Sequence, residues 1–160
     1  MKAKNIVIED FINYKLPSLF IVSSECDFKC CKESGLDISV CQNSSISALP
    51  TKTFSNEFIY DQFIKNNITK AIVIGGLEPM LQIDEIIQLI SYFHNNDVYN
   101  DFVIYTGYYP NEIQEELDKL CQCSDVIVKF GRYIPNRPSC FDRVLGITLA
   151  SNNQFALRIS

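Results

Sequence analysis

Short apolar runs recur along the chain and predict strands that are buried on both faces. They lie at Ser18–Ser23, Lys70–Gly75, Asp101–Thr106, Asp125–Phe130 and, more weakly, Phe155–Ile159. The runs are rich in β-branched residues and largely lack the alternation of a half-exposed strand, which is typical of the inside of a parallel sheet. About five or six strands fit this pattern.

Apolar residues at helical spacing occupy the intervals between these runs. Three such stripes lie at 54–63, at 83–93 and, following Pro110, at 113–121. Strands that alternate with helices predict right-handed crossovers and a parallel sheet. A full eight-stranded barrel needs more than about 200 residues. We therefore expect one α/β domain over residues 1–160, with an open, partial parallel β/α barrel of about five or six strands.

The charge of the chain restricts its partners. Its 160 residues carry a net charge of −5, from 14 basic and 19 acidic side chains. No cluster of lysines and arginines supplies a face for phosphates, so nucleic acid and anionic membranes are poor partners. No apolar run approaches the roughly 18 residues of a membrane span. Asn5, Glu9 and Asp10 interrupt the amino-terminal segment, so it does not resemble a secretory signal. We expect a cytoplasmic protein.

Four of the seven cysteines crowd into one polar segment, 24–43, which follows the first predicted strand and reads as a loop. They are Cys26, Cys30, Cys31 and Cys41. Reduced, partly buried thiols are one interpretation, but a polar loop offers them no core to fill. With a single histidine in the chain, ligation by thiolates alone indicates an iron–sulfur cluster or an all-cysteine zinc site. Loops at the carboxyl ends of parallel strands are where α/β proteins place their sites.

The spacing of these cysteines resembles a known signature. Three residues separate Cys26 from Cys30, and ten separate Cys30 from Cys41. Cys-x3-Cys followed by a third Cys is similar to the radical S-adenosylmethionine (SAM) signature, here lengthened by an insertion within Cys31–Ser39. Cys41-Gln42-Asn43 looks like the Cys-x-Asn end found in activating proteins of anaerobic ribonucleotide reductase.

Three later segments resemble the same activators, in the same order. Residues 74–79 (IGGLEP) are similar to their Gly-Gly-Glu-Pro with one extra leucine, 105–108 (YTGY) to their Tyr-Thr-Gly-Tyr, and 146–154 (GITLASNNQ) to their closing Gly…Ser-x-Asn-Gln. The chain departs from the activators after the fourth predicted strand. Residues 128–132 (VKFGR) stand there in place of an Asp-Gly pair, and Lys129 and Arg132 are either carboxylate contacts or ordinary solvated cations.

The resemblance implies a radical-SAM-like fold and a [4Fe–4S] cluster held by Cys26, Cys30 and Cys41, with one iron left open and no catalytic residue beyond these ligands. It implies SAM as cofactor, which is cleaved to a 5′-deoxyadenosyl radical. The implied protein substrate is a large glycyl-radical enzyme, an anaerobic ribonucleotide reductase, and the implied electron donor is a flavodoxin or ferredoxin. The residues expected at SAM are Gly75, Gly76, Glu78, Thr106 and Asn153.

Several of these assignments have ordinary structural alternatives. Gly75 and Gly76 suit a tight turn with positive φ, Thr106 a solvated strand end, and Asn153 a cap. A second metal site formed by Cys31 with Cys121, Cys123 and Cys140 is a further alternative, against which Cys121 also continues the apolar stripe of a helix. At the level of function, a radical enzyme with another substrate and a non-catalytic iron–sulfur or zinc module for electron transfer or regulation stay open.

Overall fold

Nine strands and five helices form in the computed structural model, which describes residues 1–160 apart from the side chain of Ser34. The strands are β1 (Lys2–Asp10), β2 (Ser18–Ser23), β3 (Lys52–Thr53), β4 (Ala71–Gly75), β5 (Asp101–Tyr105), β6 (Val126–Phe130), β7 (Cys140–Asp142), β8 (Ile147–Leu149) and β9 (Phe155–Arg158). The helices are α1 (Lys29–Ser34), α2 (Ser44–Ser47), α3 (Asn56–Lys65), α4 (Ile83–His94) and α5 (Gln114–Leu120). None of the described helices is long and apolar enough to cross a membrane.

Seven of the strands form one open sheet in the order β3-β1-β2-β4-β5-β6-β9. The four central strands, β2, β4, β5 and β6, run parallel, in a register that aligns Ile21 with Ile74, Ile74 with Ile104 and Ile104 with Val128. On the outer sides, β1 and β9 are antiparallel to β2 and β6. All five apolar runs of the sequence are therefore strands of this sheet. The expectation that they are parallel and buried on both faces is wrong for the last of them, because β9 is antiparallel to β6 and largely exposed or half-buried. The partial barrel of radical-SAM type stays a prediction.

Strand β1 was not evident from the sequence, and its position explains why. It lies between β2 and the two-residue strand β3, and burial alternates along it. Lysines, an asparagine and a glutamate occupy its more exposed positions, so it lacks the continuous apolar run of a central parallel strand.

Helices α3, α4 and α5 cover one face of the sheet. The centre of this core is Phe93, whose ring packs edge-on against Phe63 of α3 and Phe102 of β5 at centroid distances of 5.5 and 5.3 Å. Helix α3 begins where the Ser55 hydroxyl accepts the N–H of Phe58 at 3.0 Å, a standard N-cap. One expectation is wrong: Cys121 is exposed at the carboxyl end of α5 and does not continue its apolar stripe.

The other face of the sheet is covered by the β7–β8 hairpin and by Tyr14. Leu145 and Leu149 of the hairpin region pack on Val73 and Val103 of the central strands. The Tyr14 hydroxyl donates to Asp101 Oδ2 at 2.6 Å. Because both faces are covered, the central strands tolerate apolar residues at every position, as the sequence pattern indicated.

The segments that follow β2, β4, β5 and β6 meet at one edge of the sheet, because these strands are parallel. The cysteine-rich segment 24–43 follows β2, but it is not the irregular loop that was predicted. It contains α1 and a 3₁₀ turn at Ile38–Val40. Helix α1 begins after Phe28 at φ 54° and ends at Gly35 at φ 61°, so two left-handed residues fold the segment back on itself.

Candidate metal centre

An open cleft of about 180 Å³ lies at the carboxyl ends of the parallel strands. Every strand of the parallel group contributes to it, directly or through the segment that follows. Its lining residues are Cys26, Cys30, Cys41, Asn43, Gly76, Leu77, Glu78, Tyr105, Thr106, Gly107, Lys129, Gly131, Arg132, Tyr133 and Gln154. Six of the eight predicted site residues are therefore brought together, while Gly75 and Asn153 lie outside this lining.

Three thiols of segment 24–43 line the cleft, and each is partly buried. They belong to Cys26, Cys30 and Cys41. Burial raises the pKa of the Cys26 thiol to about 11 and that of Cys30 to about 12. The neighbouring thiol of Cys31 contributes to the shift at Cys30. Because metals bind the thiolate, loading of this site must release protons from these cysteines.

Cys31 occupies a different environment from its neighbour Cys30. Its side chain is 5% exposed, so it behaves as a small buried apolar group. Its Sγ is 4.0 Å from that of Cys30, and it lines a smaller cavity of about 90 Å³ together with Cys30 and Cys41. Cys30 lines the larger cleft and Cys31 does not, and the choice of Cys30 over Cys31 as a ligand stays a prediction.

The donor set fits an iron–sulfur cluster better than a single ion. Among the described residues, no three His, Cys, Asp or Glu side chains already converge on one ion. In a [4Fe–4S] cube each cysteine binds a different iron, so the thiols are spread around the cluster instead of meeting at one point. Three thiols around an open cleft, with no histidine in its lining, match that requirement.

The segment that carries these thiols is anchored where it leaves the sheet. The backbone N–H and the hydroxyl of Ser24 both donate to Gln82 Oε1 at 2.8 Å. One residue further along, the carbonyl of Glu25 accepts the N–H of Glu78 at 2.8 Å. The first cysteine is therefore held against the segment that follows β4.

Glu78 links the ends of β4 and β5. Its carboxylate accepts hydrogen bonds from the Thr106 hydroxyl at 2.7 Å and from the N–H groups of Gly107 and Met80 at 2.9 and 3.1 Å. The Thr106 hydroxyl in turn accepts the N–H of Tyr108 at 3.0 Å, so it is not a solvated strand end. Burial raises the pKa of Glu78 to about 7, although these hydrogen bonds oppose the shift.

The two glycines before Glu78 are required by their surroundings. A Cβ on Gly75 would lie 2.9 Å from the Cβ of Tyr105 on the adjacent strand. Gly76 has φ +82°, and its Cβ would lie 2.9 Å from Val22 Cγ1. The turn with positive φ is therefore present at Gly76, and the same residue brings bare backbone to the cleft.

Four charged side chains connect α1 to the opposite side of the cleft, and we call them the Glu112 network: Lys29, Glu33, Glu112 and Arg132. Arg132 makes a two-pronged contact with Glu112 at 2.8 and 2.6 Å and lies 2.9 Å from Glu33. Lys29 reaches the same Glu112 at 2.7 Å. Hydrogen bonds from Arg132 hold the pKa of Glu112 down at about 2, with a further contribution from Lys29.

Arg132 shows what the sequence interpretation missed. Of the two readings that the sequence left open, the solvated cation is wrong, because its side chain is only 6% exposed and the guanidinium stacks over the Tyr109 ring at 5.0 Å. Asn153 supports it from behind, donating to the Arg132 carbonyl at 2.7 Å and to the Tyr109 hydroxyl at 3.0 Å. This support uses only the amide nitrogen, and the buried Oδ1 of Asn153 has no hydrogen-bond partner among the described residues. A contact of Asn153 with a cofactor stays a prediction.

Lys129 is a second cation that the sequence left as either solvated or paired, and it is neither. It is 7% exposed, lines the cleft, and donates from Nζ to the Gly131 carbonyl at 2.9 Å. Burial lowers its pKa to about 8. The signal was available in the run 125–130, where a lysine interrupts an otherwise apolar strand whose residues are all buried.

The remaining cysteines lie outside the lining of the cleft. Cys121 is exposed, Cys123 packs at the margin of the helical core, and the Cys140 Sγ lies near the carbonyls of Ser151 and Gln154 at 3.9 and 3.8 Å. The geometry therefore concentrates ligating thiols in segment 24–43.

Comparison with known families agrees with this geometry. The sequence model of the 4Fe-4S single cluster domain family matches residues 18–153, from the first parallel strand to the end of the cleft-lining chain before β9. Neither a search of curated proteins nor a search of solved structures gives a match.

Proposed function

The chain belongs to the 4Fe-4S single cluster domain family, and we propose that it is a radical SAM enzyme that activates an anaerobic ribonucleotide reductase. Cys26, Cys30 and Cys41 hold the [4Fe–4S] cluster in this proposal. The protein substrate is the large glycyl-radical enzyme, and the product is its glycyl radical. A flavodoxin or ferredoxin supplies the electrons.

One observation carries the proposal: the three thiols line the same cleft as the residues expected to bind SAM. Gly76, Glu78 and Thr106 border this cleft at the ends of β4 and β5, while the thiols come from the segment after β2. Three cysteines on a cluster of four irons leave one iron without a protein ligand, and a catalytic metal needs such an open position.

The residues around the cleft suit a ligand with a positive charge and an amino group. When bound and reduced, a cluster of this kind supplies one electron to the sulfonium of SAM, which breaks the C5′–S bond. Glu78 accepts three hydrogen bonds, and a carboxylate has about four lone-pair sites, so one is left for the ammonium group of the ligand. A cation at this position lowers the pKa of Glu78 and keeps the carboxylate charged.

The openness of the cleft supports a macromolecular substrate. Its lining is contributed largely by strand ends and by segment 24–43, and no described residue closes it from outside as a lid. A loop of a partner protein can reach such a position, whereas a small molecule is better served by an enclosed pocket. A radical enzyme that acts on another substrate would not need the reductase, and this requirement distinguishes it from the enzyme proposed here.

Anaerobic reconstitution tests the proposal directly. After loading with iron and sulfide and reduction, the electron paramagnetic resonance spectrum is recorded with and without SAM, and 5′-deoxyadenosine is assayed. We expect the signal to change on addition of SAM and 5′-deoxyadenosine to form. The glycyl radical signal of an added anaerobic ribonucleotide reductase should then appear only when both proteins are present. A cluster that ignores SAM contradicts radical chemistry.

Matched cysteine variants test the ligand set. Cys26→Ala and Cys41→Ala should abolish cluster assembly, measured as iron and sulfide per chain, whereas Cys140→Ala should retain the full content. Cys140 is also a partly buried thiol but lies outside the cleft, so it controls for loss of any cysteine. Retention of the cluster in either of the first two variants overturns the assignment.

A specific observation favours a second candidate, a closed and non-catalytic iron–sulfur or zinc module. The Cys31 Sγ is 4.0 Å from that of Cys30, so segment 24–43 can supply a fourth thiolate. Four thiolates would close the site and leave no position for SAM. Cys31→Ala separates the candidates: it keeps the cluster and the response to SAM in a three-cysteine site, and it loses metal in a four-cysteine site.

A further inference from the structure

A buried cation without an acidic partner faces the cleft. Lys129 is 7% exposed and sits on β6, in register with Tyr105 of β5. Its ammonium group donates to one neutral carbonyl, that of Gly131, and lies 5.9 Å from the centroid of the Tyr105 ring. Among the described residues, no carboxylate comes within the 4.0 Å of an ion pair with it.

A buried charge with a single neutral hydrogen-bond partner is unfavourable. An ammonium group has three donors, and a buried charge costs free energy unless it is paired and hydrogen-bonded. Arg132, three residues further along the chain, differs from Lys129 because it contacts two carboxylates. The strand places a lysine here although the neighbouring positions Val128 and Phe130 are apolar and fully buried.

The opposite wall of the cleft carries a charge of the other sign. Glu78 follows β4, Lys129 lies at the end of β6, and β5 runs between the two strands. A hydroxyl and two backbone N–H groups stabilise the Glu78 carboxylate. Its charge also acts on Lys129 across the cleft and raises the pKa of the ammonium group, in opposition to burial. Neither group makes an ion pair among the described residues, so the cleft presents one acid and one base to a ligand that lies across β5.

A ligand that complements both groups carries an ammonium and a carboxylate, as the amino-acid part of SAM does. We propose that Lys129 binds the α-carboxylate of the ligand in this cleft, while Glu78 faces its ammonium group. This inference rests on the proposed function for the identity of the ligand. The anion also relieves the penalty that lowers the pKa of Lys129 to about 8 in the free protein.

The test is a double-mutant cycle on the reconstituted protein, with binding measured by calorimetry. The ligands are SAM and decarboxylated SAM, and the proteins are the natural chain and Lys129→Met. Removal of a partner from a charge-assisted hydrogen bond weakens binding by roughly 10- to 100-fold. In Lys129→Met we expect the affinity for SAM to fall by this factor and the affinity for decarboxylated SAM to change by less than about threefold. The difference between the two ligands measures the coupling between the lysine and the carboxylate.

Two control proteins and one control measurement define the result. Lys129→Arg keeps the charge and should recover most of the affinity for SAM. Lys70→Met removes an exposed lysine just before β4, at the opposite end of the parallel strands, and should change neither ligand. Thermal unfolding of Lys129→Met, which should be as cooperative as that of the natural chain, shows that the fold is retained.

Each outcome separates the carboxylate contact from the proposed function. Equal weakening of both ligands in Lys129→Met, or no weakening, overturns the contact while SAM binding by the natural chain still supports the function. If the natural chain does not bind SAM, L-methionine and methioninamide replace the two ligands. Binding of L-methionine that depends on Lys129 then supports the contact and overturns the function, and the absence of any binding overturns both.

Discussion

At the scale of single residues, the cleft is built from groups that satisfy one another before any ligand arrives. Thr106 is the clearest case, because its hydroxyl donates to Glu78 at 2.7 Å and accepts from the N–H of Tyr108 at 3.0 Å. One side chain thus fixes both the acid at the end of β4 and the turn after β5. The cost of removing it should fall on stability as well as on ligand binding.

Replacing Thr106 with valine removes this hydroxyl and keeps the side-chain volume. We expect the free energy of unfolding to fall by about 1–3 kcal/mol, because a buried carboxylate oxygen and a backbone N–H each lose a partner. Urea unfolding measures the change. Thr148→Val, at an exposed position of β8, should leave the free energy of unfolding nearly unchanged. Equal effects in the two variants would show that the hydroxyl of Thr106 adds nothing.

Gly76 can be compared with Gly35, which also has a positive φ but has no neighbouring atom near the position of a Cβ. Gly76→Ala meets positive φ and a Cβ 2.9 Å from Val22 Cγ1, whereas Gly35→Ala meets φ +61° with nothing within 4 Å. We expect about 1–2 kcal/mol of destabilisation at Gly35 from the left-handed conformation alone, and a larger loss at Gly76. Thermal unfolding ranks the two variants. The reverse order would mean that the contact with Val22 relaxes freely.

At the scale of elements, the Glu112 network holds α1 against the turn after β5 and the end of β6. Helix α1 is six residues long and follows a left-handed residue, and no carboxylate lies in its first turn. So short a helix is not stable alone. Its position near the cleft therefore depends on Lys29 and Glu33, which contact Glu112 and Arg132.

The sign of the pH dependence at Glu112 follows from its pKa, which is held at about 2 instead of 4.5. A carboxyl with a lowered pKa stabilises the fold fully above about pH 4.5 and loses that contribution as the pH falls towards 2. We expect ~1–3 kcal/mol of acid-labile stability in the natural chain, since the group is partly exposed. Urea unfolding at several pH values should show this slope reduced in Glu112→Gln. The same slope in both proteins would contradict the assignment to Glu112.

The elements also show how far sequence reasoning reaches. The apolar runs at β2, β4, β5 and β6 were visible because both faces of these strands are buried. Strand β1 was missed because it is only half buried. Helix α1 was missed because its residues are polar and because its charged side chains contact residues that are distant in the sequence. The network was out of reach for the same reason: Glu33, Glu112 and Arg132 meet only after the sheet has formed.

The residues of the site show the same distinction between features visible in the local sequence and features that depend on the fold. Cysteines grouped in one segment, and glycines at the end of an apolar run, are visible in the local sequence. The position of Lys129 inside an apolar run is also visible there, but the burial of Arg132 is not, because it depends on Tyr109 and Asn153, which come from other elements. Local sequence predicted which groups approach the cleft, and the fold decides which of them are charged and unpaired there.

At the scale of the whole molecule, the sheet and segment 24–43 are stabilised differently. The sheet is covered by apolar groups on both faces, whereas the segment that carries the thiols has several exposed apolar residues, among them Leu36, Ile38 and Val40. Its order depends on capping bonds, on charged contacts and, in our proposal, on the cluster. Loss of the cluster should therefore affect the segment before the sheet.

Chelation of iron tests this division. Hydrogen exchange of the reconstituted protein before and after chelation should show large losses of protection in residues 26–43 and little change in β4 and β5, whose backbone groups pair within the sheet. The Cys140→Ala protein should behave as the natural chain. Uniform loss of protection across the sheet would mean that the cluster holds the fold together and does not only order the segment.

The Glu112 network also determines how the protein should respond to salt. Dissolved ions screen exposed charge contacts much more than buried ones, while excluded salts such as sulfate strengthen the apolar packing of the sheet. Lys29 and Glu33 are partly exposed, whereas Arg132 is 6% exposed. We therefore expect a moderate rise in salt to weaken the hold on α1 before it disturbs Arg132 or the pairing of the parallel strands.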